Sequence, residues 1–256
     1  MKYIQEYTGE NNMKTFKDIA YATEHENQKL DIYLPDNDTF DVYVYIHGGG
    51  MEIDDKETDI VLFESLTKLG VAVVTINYRM YPFARYPEYL YDAAAAVAWT
   101  KKHISEYGNA KRIFVGGSSA GGYISMMLYF DRKYLAPFKL SPCDLDGFVF
   151  DAGQPTSHFN VLRERGIDSR RVVVDETAPL YHVKEYANEP PVMILVSEFD
   201  IKSRFEQTQL LLSTMDHFGY PKEIITYHYM ENYHHFGYVR TPVFAELIAK
   251  FIEETK

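Results

Sequence analysis

The stretch Arg112-Ile113-Phe114-Val115-Gly116-Gly117-Ser118-Ser119-Ala120-Gly121-Gly122 carries the clearest chemical signal in the chain: an apolar, strand-like run ends at a serine with glycine two places before and two after it. A strand that turns at once into a helix strains its corner residue, and the turn closes only where neighbouring side chains all but vanish, as Gly117 and Gly121 allow. Ser119 Oγ then stands above the sheet as a nucleophile. The helix that follows aims unpaired N–H groups and a partial positive charge at the place where an oxyanion would form. Ser118 competes for the role, because Gly116 and Ala120 flank it with small residues too. Gly-x-Ser-x-Gly also occurs in ordinary loops, so the assignment depends on finding partners.

Acyl transfer by a serine needs a base to take its proton, an acid to hold the base, and donors for the developing oxyanion. Three other clusters could supply them: His47-Gly48-Gly49-Gly50, Glu198-Phe199-Asp200 and His234-His235-Phe236. His234 is taken as the base and Asp200 as the orienting carboxylate, with His235 and Glu198 as their rivals. Adjacent histidines in a loop point in different directions, so only one of them can meet Ser119. The N–H groups of Gly49 and Gly50 can join that of Ala120 around a carbonyl oxygen, since these glycines put no side chain in a substrate's way. Losing one such donor typically costs about 3 kcal/mol of transition-state stabilisation.

Positioning these groups requires a particular order of elements. Residues 29–34 alternate in polarity and stop at Pro35, as a half-buried strand does. Residues 42–46, 71–76, 113–115, 148–150 and 192–196 are nearly continuous in apolarity, which suits parallel strands covered on both faces. Residues 224–229 read as a further strand. Helical patterns occupy 60–69, 88–104, 120–130, 205–218 and 243–252, two of them stopped by Gly70 and Gly219. Alternating strands and helices predict a doubly wound α/β sheet whose ligands sit beyond the carboxyl ends of its strands, where all four clusters fall.

These pieces resemble an α/β-hydrolase of the hormone-sensitive-lipase-like esterase group. The matching residues are His47-Gly48-Gly49-Gly50, the block Asn77-Tyr78-Arg79-Met80-Tyr81-Pro82 with residues 83–87 and Asp92, the elbow Gly117-Ser118-Ser119-Ala120-Gly121-Gly122, Asp200, and His234-His235-Phe236. The order Ser, Asp, His along the chain is that of the fold. What the resemblance implies is a mostly parallel twisted sheet with helices on both faces and oxyanion donors from the His-Gly-Gly-Gly loop. It also implies acylation of Ser119 and no need of a metal or organic cofactor. Its registers favour Ser119 over Ser118, Asp200 over Glu198, and His234 through His-x-Phe. The chain departs from the group in two places: Ser118 replaces the usual aspartate before the nucleophile, and His235 replaces the usual glycine after the base. About 46 residues precede His47, too few for a long cap, so residues 153–190 are the expected partial lid. His47 is expected to fix loop shape, and Asp92 to pair with Arg79 or favour a helix start. His103, His158, His182, His217 and His228 lack any motif.

Composition narrows the partners. At 256 residues, with no compositional break, one α/β-hydrolase domain spanning residues 1–256 is expected. A formal charge of −11 repels nucleic acid and anionic membranes. Residues 1–6 lack a secretory apolar run, and no stretch approaches the roughly 20 apolar residues of a membrane span, so a cytoplasmic protein is expected. Cys143 is the only cysteine, which excludes an internal disulfide and a thiolate metal cage. The expected function is a serine carboxylesterase acting on short-chain acyl, acetyl or feruloyl esters of small molecules or carbohydrates. The alternatives are an arylformamidase-type amidase, a peptidase, or an inactive ligand-binding relative. The acidic run Glu52, Asp54, Asp55 and Glu57 would disfavour anionic substrates. A homodimer is compatible with the fold, though no segment demands one.

Overall fold

The computed structural model describes residues 13–255; the reading of residues 1–6 lies outside them. Its strands are β1 (Lys14–Ala20), β2 (Lys29–Leu34), β3 (Thr39–Ile46), β4 (Val71–Ile76), β5 (Asn109–Ser118), β6 (Gly147–Asp151), β7 (Val192–Phe199) and β8 (Ile225–His234). They form one sheet in the order β1-β2-β4-β3-β5-β6-β7-β8. β2 is antiparallel to β1 and β4, and the pairs from β4 across to β8 are parallel.

The helices are α1 (Ile60–Lys68), α2 (Glu88–His103), α3 (Ala120–Phe130), α4 (Phe159–Glu164), α5 (Arg204–His217) and α6 (Pro242–Glu254). Successive side chains of a strand point to opposite faces, and both faces of this sheet are filled. Val42, Val44 and Ile46 of β3 join one core with α2 and α3, while Tyr43 and Tyr45 join a second with α1 and α6. This two-sided burial is why the central strands read as unbroken apolar runs. Each fully buried Val or Ile contributes about 1.5–3 kcal/mol.

β1 was not expected. Its apolar residues Phe16 and Ile19 are three apart because the register with β2 shifts between them, and Asp18 there has φ 56°. A bulge of this kind hides the alternation that marks a strand.

Residues 152–191, which join β6 to β7 and include the expected partial lid, are fastened by buried polar contacts. Gln154 Nε2 donates to Thr156 Oγ1 (3.1 Å) and Thr156 Oγ1 to Gln207 Oε1 (3.0 Å). Thr177 Oγ1 lies 2.7 Å from both Ser157 Oγ and Asp175 Oδ1. The buried Arg204 donates to the Ala152 carbonyl. Helix α4 is too short to display a period, and the N–H of Asn160 in its first turn donates to Nδ1 of the buried His158 (3.2 Å).

Candidate active site

β5 ends at Ser118, α3 begins at Ala120, and Ser119 between them has φ 55° and ψ −110°. Such backbone costs about 1–3 kcal/mol and persists only where its surroundings enforce it. Two contacts do so. The Ser119 N–H donates to the Asp151 carbonyl (2.8 Å), and the Tyr123 N–H donates to the Ser119 carbonyl (3.0 Å). The flanking glycines are obligatory: a Cβ on Gly121 would lie 1.9 Å from the Ile46 carbonyl oxygen, and one on Gly117 2.2 Å from it. The elbow is thereby pressed against the end of β3, where the His47-Gly48-Gly49-Gly50 loop starts.

His235, not His234, meets the serine. His235 Nε2 lies 2.8 Å from Ser119 Oγ, and His235 Nδ1 lies 2.6 Å from Asp200 Oδ1. The turn at the end of β8 makes the choice. His234 is the last strand residue, paired with Phe199, and its exposed ring packs 5.4 Å from the Phe199 ring. Its carbonyl accepts from the Gly237 N–H (2.9 Å), closing a turn with His235 and Phe236 at the corner. The first imidazole beyond the strand is therefore the one thrown back over the sheet edge. The His-x-Phe register misassigned it by one residue.

Asp200 and Ser119 stand where the motif reading put them. Asp200 has only 2% of its side chain exposed and accepts from the N–H groups of Ser197 (3.2 Å) and Ile201 (2.7 Å). Burial alone would raise its pKa. The hydrogen bond and charge of His235, with Arg204 and the Ile201 N–H, outweigh burial and hold the carboxyl below its ordinary range. Glu198 is drawn elsewhere, accepting from the Asn232 N–H (2.8 Å). Ser118 is fully buried and donates to Asp151 Oδ2 (2.5 Å), so it presents no nucleophile.

The oxyanion-loop candidates run beside the serine. A Cβ on Gly48 would come 3.5 Å from Ser119 Cβ and 3.9 Å from Phe236 Cζ. Gly49 and Gly50 have φ of 79° and 66°, a region open to glycine at little cost. Their carbonyls are occupied by protein: that of Gly49 accepts from the N–H groups of Glu52 and Ile53 (both 3.1 Å), and that of Gly50 from Asn160 Nδ2. At the first position of α3, the Ala120 N–H has no intrahelical acceptor.

His47 shapes this loop. Its ring stacks on Tyr78 at 4.4 Å, and Tyr78 OH donates toward the carbonyls of His47 and Gly48, both at 3.0 Å. Burial lowers the His47 pKa to about 4, so it stays neutral near pH 7. Arg79 grips Asp92 through N (2.9 Å), Nε (2.8 Å) and Nη2 (2.9 Å), while Tyr81 N donates to the Met51 carbonyl (2.9 Å). Residues 79–81, which follow β4, thus brace the loop of residues 47–51.

Asp151, Tyr238 and Asn160 escaped the motif reading. The resemblance called for a carboxylate at position 118, and a buried one lies across the sheet at Asp151, directly paired with Ser118. Tyr238 OH donates to its other oxygen. The missing acid at 118 was the one sequence clue. Among the described residues, no group of three or more His, Cys, Asp or Glu is arranged to hold a metal ion, and no helix is long and apolar enough to cross a membrane.

Comparison with known proteins agrees with this architecture. A model of the prolyl oligopeptidase family matches residues 88–255, and one named BD-FAE matches residues 30–136. The chain is 38% identical over 116 residues to a probable carboxylic ester hydrolase, LipM, of Mycobacterium tuberculosis, covering 43% of this chain and 27% of that protein. It is 27% identical over 114 residues to an acetyl esterase of Salmonella schwarzengrund, covering 44% of this chain and 35% of that protein. The chain thus spans only about a third or less of the length of these curated relatives. Among solved structures, a truncated carbohydrate esterase from gut microbiota superposes with a TM-score of 0.78 at 19% identity, covering 99% of this chain and 98% of that one. Esterase B from Lactobacillus rhamnosis gives a TM-score of 0.74 at 19% identity, covering 95% of this chain and 89% of that one.

Proposed function

From the premise that the chain belongs to the prolyl oligopeptidase family and has the α/β-hydrolase fold, we propose that it is a serine carboxylesterase working through an acyl-enzyme. The observation that carries this reading is the hydrogen-bonded run Asp200–His235–Ser119. With Asp200 accepting at Nδ1, the His235 tautomer leaves Nε2 free to take the Ser119 proton as Oγ attacks the ester carbonyl. The tetrahedral oxyanion forms against the N–H groups of Gly49, Gly50 and Ala120, donors fixed before the reaction begins. His235 then passes its proton to the leaving alcohol, and water, activated by the same imidazole, releases the acyl group.

Short acyl groups, acetyl above all, and feruloyl-type esters of small molecules or carbohydrates are the proposed substrates. Support comes from the acetyl esterase and carbohydrate esterase among the similar proteins. A panel of acetyl, butyryl, octanoyl and feruloyl esters, with Ser119→Ala as the blank, tests the assignment. Turnover by the blank equal to wild type rejects it. The family match also favours a second reading, cleavage of a prolyl peptide bond by the same serine. A prolyl anilide and a formyl amide beside the ester panel separate peptidase and amidase action from esterase action.

A further inference from the structure

Ser119 and His235 are 116 positions apart in the chain, so their 2.8 Å separation depends on contacts that join the two segments. One buried carboxyl touches both. Asp151, at the end of β6, is fully buried; its Oδ2 accepts from Ser118 Oγ (2.5 Å) and its Oδ1 from Tyr238 OH. Ser118 immediately precedes the nucleophile, and Tyr238 lies three residues beyond the base. The backbone of Asp151 adds a third tie, its carbonyl accepting from the Ser119 N–H (2.8 Å).

We propose that Asp151 is a positioning residue whose side chain clamps Ser118 to Tyr238 and thereby sets the distance between Ser119 and His235. The proposal rests on Ser119 and His235 being the reacting pair. Neither end of the clamp is free to drift. Tyr238 is fully buried, with its ring edge-on to Tyr233 (5.5 Å) and Phe244 (5.6 Å). Beyond Asp151, Ala152 has φ 48°, its N–H donates to the Leu195 carbonyl (3.0 Å), and its own carbonyl accepts from Arg204. A buried carboxyl is costly unless its lone pairs are satisfied, and here hydroxyls from two distant segments satisfy them.

The groups bearing on Asp151 are Tyr43 from β3, Asp59 before α1, Asp200 after β7 and Arg204 from α5, besides Ser118 and Tyr238. Burial, reinforced by Asp200 and Asp59, pushes the carboxyl up to about 7 against the pull of its two hydroxyl donors. When the carboxyl is neutral at mildly acidic pH, one of its oxygens carries a proton and donates to a hydroxyl that turns to accept, so the clamp persists, and Asp151→Asn, with an amide N–H in that place, is its nearest mimic.

The test compares Ser118→Ala, Tyr238→Phe, their double variant and Asp151→Asn by kcat, KM and the rate at which a fluorophosphonate labels Ser119. Thermal melts establish that each variant is folded. Clamping predicts that each single hydroxyl deletion lowers kcat and labelling about tenfold, since small misplacement of reacting groups is expensive, while KM holds within twofold. The double variant should be no worse than the poorer single one, because both deletions act through one carboxyl. Asp151→Asn should retain wild-type kcat near pH 6 to within about threefold. Ser118→Ala or Tyr238→Phe with kcat within twofold of wild type, deletions whose effects multiply, or losses confined to KM would each overturn the clamp. Should Tyr238→Phe fail to fold, Ser118→Ala decides alone by the same criteria. Failure of the underlying reading looks different: wild-type Ser119 would then resist the probe.

Discussion

His235 Nε2 and Ser119 Oγ are 2.8 Å apart, while the neighbouring His234 ring packs on Phe199 outside the site. Chain neighbours thus receive opposite environments from a single turn. His235→Ala is expected to lower kcat on an aryl acetate by a factor of about a thousand or more. His234→Ala should stay within threefold of wild type. Steady-state kinetics on the two variants checks the assignment, and the reverse ranking would return the base to residue 234.

Asp200 Oδ1 lies 2.6 Å from His235 Nδ1, the contact by which it is proposed to hold the tautomer, whereas Glu198 is committed to the Asn232 N–H. Asp200→Asn should therefore cost about four orders of magnitude in kcat with the fold intact, through the wrong tautomer. Glu198→Gln should change kcat less than threefold. Comparable losses in both variants, measured alongside melting curves, would mean that the carboxylate role is misassigned.

At the elbow, packing tolerates nothing larger than hydrogen. With the Gly121 Cβ position 1.9 Å from the Ile46 carbonyl oxygen, Gly121→Ala must displace main chain at the end of β3. A loss of about 3 kcal/mol is expected, lowering the melting temperature by roughly 6–12 °C for a domain of this size. Gly219→Ala meets no atom within 4 Å but has φ 79°, so its cost comes from backbone strain alone and should be smaller. Calorimetry on the pair separates collision from strain.

Stability should depend on pH through two carboxyls of opposite sign. Asp151 keeps its proton up to about 7 in the fold but only to about 3.8 when exposed, so between those values the folded chain binds more protons than the unfolded. Its contribution is fully present below about pH 4 and lost as pH rises through 7. Asp200, held below its ordinary range, contributes above that range and loses the contribution as pH falls through its lowered value. Asp151→Asn should flatten the decline in melting temperature between pH 4 and 7 and leave the acid limb in place. An unchanged slope would mean that Asp151 is already ionised across that window.

Most of the architecture was legible because burial on both faces of a parallel sheet writes itself as short apolar runs. Residues 71–76 and 120–130 matched β4 and α3 to the residue. β1 was illegible because its bulge removes the alternation, and α4 because six residues hold too few turns to show a period. At the site, Ser119 and Asp200 could be read since each occupies a strand end with a recognisable neighbourhood. The histidine could not be fixed by spacing, because adjacent residues differ only in which side of a turn they leave, and that depends on the register of β8 against β7. Asp151 carries no local motif at all. Only its pairing across the sheet with Ser118 gives it meaning, and that partner lies 33 positions away.

The polar fastening of residues 152–191 has one more outcome. Hinged covers of fat-splitting enzymes swing aside at an oil–water boundary, which shows as a jump in rate once droplets appear. Here Gln154, Thr156 and Thr177 are joined internally and to Gln207 of α5, and Asn160 to the Gly50 carbonyl, so opening would strand several dry hydrogen-bonding groups together. Velocity on a sparingly soluble ester should accordingly climb smoothly with dissolved substrate and level off at the solubility limit, without a second rise in emulsion.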